Sequence, residues 1–105
     1  MKKLVILGST GNIGTQVLDV VDKYPKKLSV AGLAANNNFD LLLKQIKKYK
    51  PKAVAIPDEE EAEKMRKKIS IPVYSGENAL VKLTNISGYD TLVNSVVSLL
   101  ESELP

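Results

Sequence analysis

A chain of 105 residues, 44% hydrophobic and 26% charged, has the size and composition of one small globular domain spanning residues 1–105. It has no cysteine and no histidine, which excludes a disulfide framework, a thiolate or imidazole metal site and the commonest general base. The net charge is +3, yet 14 of the 15 basic residues are lysine and nucleic-acid readers favour arginine and exposed aromatics, so the lysines read as solvated helix faces.

Residues 4–7 form a continuous apolar run ending at Gly8, the pattern of a parallel strand covered on both faces. The run is too short for the core of a signal peptide, and the apolar stretch 91–100 is about half a membrane span. The expectation is a cytoplasmic protein with neither nucleic acid nor membrane as partner. Beyond a glycine-rich segment, Ile13, Val17, Val20, Val21 and Tyr24 recur at helical spacing, and Pro25 ends the helix. Residues 28–35 read as a second strand, closed by Asn36, Asn37 and Asn38. A second helix turns Phe39, Leu42, Leu43, Ile46 and Tyr49 inward and Lys44, Lys47 and Lys48 outward.

Residues 53–56 are a third strand. Asp58 is placed to cap a third helix, with Glu61 three residues on, close to a capping box. Ala62, Met65 and Ile69 make its inner stripe, and Glu60–Lys64 and Glu63–Lys67 are spaced as supporting pairs. Residues 71–74 are a short fourth strand. Ser75 is the expected cap of a fourth helix with Ala79, Leu80 and Leu83 inside, and residues 89–97 read as a fifth strand. Residues 98–105 carry no clear pattern.

Strands alternating with helices predict an α/β fold with a parallel sheet covered on both faces. Right-handed crossovers make it doubly wound, with about five strands in the expected order 3-2-1-4-5. The order then reverses beside strand one. Ligands in such sheets bind at that switch point, at the carboxyl ends of the strands, where Gly8 and Asn36, Asn37 and Asn38 fall.

The motif with chemistry is Gly8-Ser9-Thr10-Gly11-Asn12-Ile13-Gly14. Gly8 allows a sharp turn out of the strand, Gly11 lets backbone approach a pyrophosphate, and Gly14 lets the helix pack closely. The helix starting near Asn12 offers N–H groups and a positive dipole end to an anion, and Ser9 and Thr10 add hydroxyls. Following a strand and opening a helix, the three glycines sit in the context of a Rossmann-like dinucleotide site. An acid at the end of strand two would grip a ribose 2′-hydroxyl and repel a 2′-phosphate. The sequence has three asparagines there and no acid before Asp40, which favours NADP over NAD. The alternative is that Asn38 only caps the second helix and Asn36 occupies a left-handed turn. The acidic run 58–61 reads as a helix N-terminus rather than metal ligands. Asn94 is a candidate to face the cofactor or to satisfy local backbone, and Tyr74 and Tyr89 read as core or rim residues.

The segment Leu7-Gly8-Ser9-Thr10-Gly11-Asn12-Ile13-Gly14-Thr15-Gln16, followed by Leu18-Asp19-Val20-Val21, resembles the opening of the 1-deoxy-D-xylulose 5-phosphate reductoisomerase family. Leu33-Ala34-Ala35 leading to Asn38, Pro51-Lys52-Ala53-Val54-Ala55-Ile56, Ser75-Gly76-Glu77 and Asp90-Thr91-Leu92-Val93-Asn94 are similar in order and spacing, so the resemblance runs from Met1 to about Val97. Three departures stand out. The family usually has Ser at the position of Asn12, often a Gly and a basic residue at Asn36-Asn37, and a glycine-containing turn after Val97.

The resemblance implies the NADPH-binding domain of an oxidoreductase of isoprenoid biosynthesis, the methylerythritol phosphate pathway. That family converts 1-deoxy-D-xylulose 5-phosphate to 2-C-methyl-D-erythritol 4-phosphate with NADPH and Mg²⁺ or Mn²⁺. By this resemblance Thr10, Gly11, Asn12 and Ile13 contact the cofactor, as do Asn36, Asn37 and Asn38. The family's metal carboxylates, substrate-phosphate groups and lid belong to later domains. No catalytic or metal residue is therefore assigned here, and the chain alone is expected to be inactive. Two other readings stay open. One is the nucleotide domain of another dehydrogenase, of the semialdehyde dehydrogenase or dihydrodipicolinate reductase type. The other is a non-catalytic module forming a homodimer through the bare edge of strand five, with Val96, Val97, Leu99 and Leu100 beside it.

Overall fold

A computed structural model describes residues 1–95. The chain runs β1 (Lys2–Leu7), α1 (Asn12–Lys23), β2 (Leu28–Ala34), α2 (Phe39–Tyr49), β3 (Ala53–Ala55), α3 (Glu59–Arg66), β4 (Val73–Tyr74), α4 (Ala79–Thr84) and β5 (Thr91–Asn94). All four strand pairings are parallel, as continuous apolar strands without polar alternation require.

The sheet order is β4-β3-β2-β1-β5, not 3-2-1-4-5. The difference lies in which face α3 covers. Leu18 and Val21 of α1, Leu42 and Ile46 of α2, and Ala62 and Met65 of α3 all join one cluster with Leu4, Ile6, Leu33, Val54 and Ile56. Three helices on one face carry a right-handed chain stepwise in one direction, so β4 pairs outside β3. Only α4 lies on the other face, where Ala79 and Leu83 pack with Val5, Leu7, Ala31, Ala34, Ala53 and Ala55. Crossing that face returns the chain to β1, where β5 pairs Leu4–Leu7 with Thr91–Asn94. The reversal still falls beside β1, between β1 and β5.

Small residues on the second face let α4 lie close. A Cβ on Gly32 would come within 2.9 Å of Leu83 Cδ1. The register with β1 shifts between Leu4 and Val5, so that β2 places an extra residue there.

Helix boundaries follow local chemistry. Tyr24 N–H closes α1 on the carbonyls of Val20 and Val21, and Pro25 follows. Asp58 caps α3 as expected, its carboxylate accepting from Glu61 N–H at 3.0 Å. The ion pairs on α3 are Glu61–Lys64 and Glu63–Arg66, spaced i,i+3, instead of the i,i+4 pairs anticipated. Ser75 does not cap α4. Asn78 holds that position without a side-chain bond, and Ser75 Oγ accepts from Arg66 Nη2 at 2.9 Å. The expected extension of strand five to Val97, the edge residues Val96, Val97, Leu99 and Leu100, and residues 98–105 lie outside the described residues.

Candidate functional site

At the carboxyl end of β1 the chain enters a left-handed turn at Gly8, φ +79°. The Gly8 and Ser9 N–H groups both donate to Ala34 O, at 2.8 and 3.0 Å, so the loop hangs from the end of β2. Gly11 N–H then closes on Gly8 O at 3.1 Å. Helix α1 begins at once, and its first hydrogen bond is Thr15 N–H to Gly11 O. The amides before it need partners from elsewhere. Gly11, the N-cap residue, has no side chain to supply one.

Charge marks α1 out from α2 and α3, the two other helices on its face of the sheet. Helix α3 begins with Glu59, Glu60 and Glu61, and α2 carries Asp40 in its first turn, so each answers its own dipole. The first turn of α1 holds no acid. No acidic side chain of its own first turn answers its positive end.

A cleft of about 240 Å³ opens there. The loop and helix α1 line it with Gly8, Thr10, Gly11, Asn12 and Ile13, and the β2–α2 connection adds Asn36 and Asn37. Among the described residues none that lines it is charged, so none of these repels a phosphate. Thr10 Oγ1 donates to Asn37 O at 3.1 Å and joins the two loops across the cleft.

Three of the residues singled out from sequence do not line the cleft. Ser9 is fully buried, and its hydroxyl donates to Gln45 Oε1 at 2.8 Å. Gly14 supports the loop from α1, since a Cβ there would overlap the Gly8 carbonyl oxygen and lie 2.7 Å from Ser9 Cα. Asn38 is the N-cap of α2 with φ +50° and no side-chain cap bond, so it, and not Asn36, takes the left-handed conformation. Asn94 pairs with Leu7 at the end of β5 and does not line the cleft. Tyr74 packs at the rim of the second cluster, and Tyr89 donates its hydroxyl to Thr84 O at 2.7 Å.

Sequence reasoning missed Leu80 and Ser95, which complete the lining from the other side of the switch point. Ser95 is buried and donates to Leu7 O at 2.6 Å and Gly8 O at 3.1 Å. Both residues follow β4 in the chain and reach the cleft only because β5 returns to β1. Gln45 was missed as well, although a polar residue three positions after Leu42 on an apolar stripe was a readable signal.

The titratable groups with shifted pKa values lie elsewhere. Toward the far end of α1, roughly 15 Å along the axis from Asn12, Asp22 accepts from Lys48 Nζ at 2.9 Å and from the Tyr49 hydroxyl at 2.8 Å. The Lys48 hydrogen bond, then the Tyr49 one, holds the Asp22 carboxyl below its ordinary value. The bond to Asp22 raises the Lys48 ammonium, and burial, followed by the bond to Asp22, raises the Tyr49 phenol. This cluster joins α1 to α2 and is not part of the cleft.

The sequence profile of the 1-deoxy-D-xylulose 5-phosphate reductoisomerase family matches residues 4–101. The chain belongs to that family. Among reductoisomerases, that of Thermodesulfovibrio yellowstonii is 39% identical over 98 residues, covering 92% of this chain and 26% of the relative. That of Caldanaerobacter subterraneus subsp. tengcongensis is 52% identical over 73 residues, covering 70% of this chain and 19% of the relative. The chain thus spans about a quarter or less of the length of these relatives. The reductoisomerase of Zymomonas mobilis, solved with NADPH, superposes with a TM-score of 0.76 at 26% identity over 87% of this chain and 24% of its own. A reductoisomerase solved with NADPH, fosmidomycin and magnesium gives 0.81 over 88% of this chain and 24% of its own; at 22% identity it shows the shared α/β fold.

Among the described residues no three His, Cys, Asp or Glu side chains stand close enough to hold a metal ion, and no helix is long and apolar enough to cross a membrane.

Proposed function

We propose that this chain is the NADPH-binding domain of a reductoisomerase that converts 1-deoxy-D-xylulose 5-phosphate to 2-C-methyl-D-erythritol 4-phosphate. The observation that carries the reading is the acid-free N-terminus of α1 opening on an uncharged cleft at the switch point of the sheet. In this reading the pyrophosphate lies over Thr10, Gly11, Asn12 and Ile13, with Gly8 and Gly14 shaping the turn and Ser9 supporting it from beneath. The adenosine ribose reaches Asn36 and Asn37, with Asn38 at the loop's end, and the 2′-phosphate is accepted because no carboxylate stands there.

NADPH, when bound, supplies the hydride. The residues of this chain bind and orient it. The Mg²⁺ or Mn²⁺ that the family's reaction uses would polarise the substrate oxygens, and this reading assigns none of its ligands to residues 1–95. In this reading the chain alone binds cofactor and does not turn over substrate. The place of action is the cytoplasm.

Parallel titrations with NADPH and NADH, read by nucleotide fluorescence and thermal shift, test the reading. Saturable stabilisation with NADPH binding more tightly is the expected result. NADH preference would assign the chain to another dehydrogenase type, and no response to either nucleotide would sink the reading.

One observation favours a second property. β5 is an edge of the described sheet, hydrogen-bonded to β1 alone, and Leu92 on it is exposed. Pairing of two copies along β5 gives a homodimer, which sedimentation at rising concentration would detect.

A further inference from the structure

Gln45 is a polar residue where helix α2 calls for an apolar one. It lies on the inward face with Leu42 and Ile46 and is 6% exposed. A primary amide in such a place is costly unless both of its ends are bonded. Here both ends are spent on one residue. Gln45 Oε1 accepts from Ser9 Oγ at 2.8 Å, and Gln45 Nε2 donates to Ser9 O at 3.0 Å. Ser9 N–H is held by Ala34 O at 3.0 Å. Every polar group of Ser9 is thereby fixed, 36 residues away from the helix that fixes two of them.

The consequence lies in the next peptide. In a planar trans peptide the carbonyl and the following N–H point in opposite directions. With Ser9 C=O drawn towards α2, the Thr10 N–H is turned away from α2, and Thr10 lines the cleft. Without the Gln45 amide, the Ser9 carbonyl would have no buried donor and would be free to rotate towards the cleft, replacing a donor with an acceptor where an anion must sit.

We propose that Gln45 is a positioning residue for the cofactor: it locks the Ser9–Thr10 peptide from beneath, so that the Thr10 N–H faces the cleft as a donor to the pyrophosphate. This rests on the cofactor reading of the cleft. Gln45 touches no ligand itself; it acts through Ser9.

Gln45→Glu tests the lock. As a carboxylate, residue 45 still accepts from the Ser9 hydroxyl but repels the Ser9 carbonyl. Protonated, it donates again and restores both bonds. NADP⁺ affinity of the chain is measured from pH 5 to pH 8, below the melting temperature of every variant, and expressed relative to wild type at each pH to cancel the ligand's own titration. Ile46→Ala, next to Gln45 on the same buried stripe, serves as a destabilised control that keeps the lock. Gln45→Met, apolar and similar in length, covers the case in which the glutamate variant does not fold at pH 8.

The expected result is a tenfold or greater loss for Gln45→Glu at pH 8 that recovers towards wild type at pH 5, a comparable loss for Gln45→Met at every pH, and a change within twofold for Ile46→Ala. Wild-type affinity in the Gln45 variants, or equal losses in Ile46→Ala, would overturn the proposal while leaving the cleft assignment standing. Absence of binding by the wild-type chain would remove that assignment, and the proposal with it.

Discussion

Helix α1 passes so close to the glycine loop that a Cβ on Gly14 would overlap the carbonyl oxygen of Gly8. Gly11, three residues earlier, has φ −80°, and a Cβ there would meet nothing nearer than Gly8 O at 3.4 Å. The two glycines therefore do different work, one in packing and one in the lining of the cleft. Gly14→Ala is expected to cost about 3 kcal/mol of stability, the upper end of overpacking penalties. Gly11→Ala is expected to fold with a loss below about 1 kcal/mol. Because Gly11 lines the cleft, its added methyl should weaken NADPH about tenfold. Denaturant midpoints and nucleotide titrations on both variants check the split; a stability loss at Gly11 as large as at Gly14 would refute it.

The uncharged lining of the cleft sets a limit on discrimination between the two nucleotides. Asn36 and Asn37 offer amides to a 2′-phosphate but no charge. Asn37→Lys is expected to tighten NADPH about fivefold at low salt, the worth of one exposed ion pair, and to leave NADH unchanged. The gain should shrink as ionic strength rises and the Debye length falls. A gain that is equal for NADH would place the 2′-phosphate elsewhere.

The Asp22 cluster contributes to acid stability. The Asp22 carboxyl is held below its ordinary value of 3.8 by hydrogen bonds from Lys48 and Tyr49. A carboxyl with a depressed folded-state pKa contributes stability that is present above its unfolded value and is lost as pH falls through the folded one. Asp22→Asn should therefore be less stable than wild type near neutrality, and the gap should close below about pH 4. Nucleotide affinity should not change, since the cluster stands away from the cleft. Thermal melts across pH 2–7 would decide it; a gap that widens with acid would show the sign to be wrong.

Much of the fold was legible because it is written locally. Residues 4–7 are apolar on both faces, Pro25 and Pro51 follow helices, and Asp58 can cap only what begins after it. The glycine loop was legible for the same reason, since Gly8 φ +79° is a local demand. The position of β4 was not. The stripe of Ala62 and Met65 shows that α3 has an apolar face, and nothing in its spacing says which side of the sheet receives it. The same holds for Ser75, drawn away from α4 by Arg66, and for Ser9, which reads as a ligand-facing hydroxyl until Gln45 is seen beside it.

The sequence by itself determined the kind of elements, their order and the glycine loop at the end of β1, because periodicity, capping and backbone freedom act over a few residues. Tertiary structure alone decided the strand order, the arrival of Leu80 and Ser95 at the cleft, and the grip of Gln45 on Ser9. The Gln45–Ser9 and Ser95–Leu7 bonds join residues 36 and 88 positions apart, and only the packing of helices on a particular face of the sheet brings them within bonding distance.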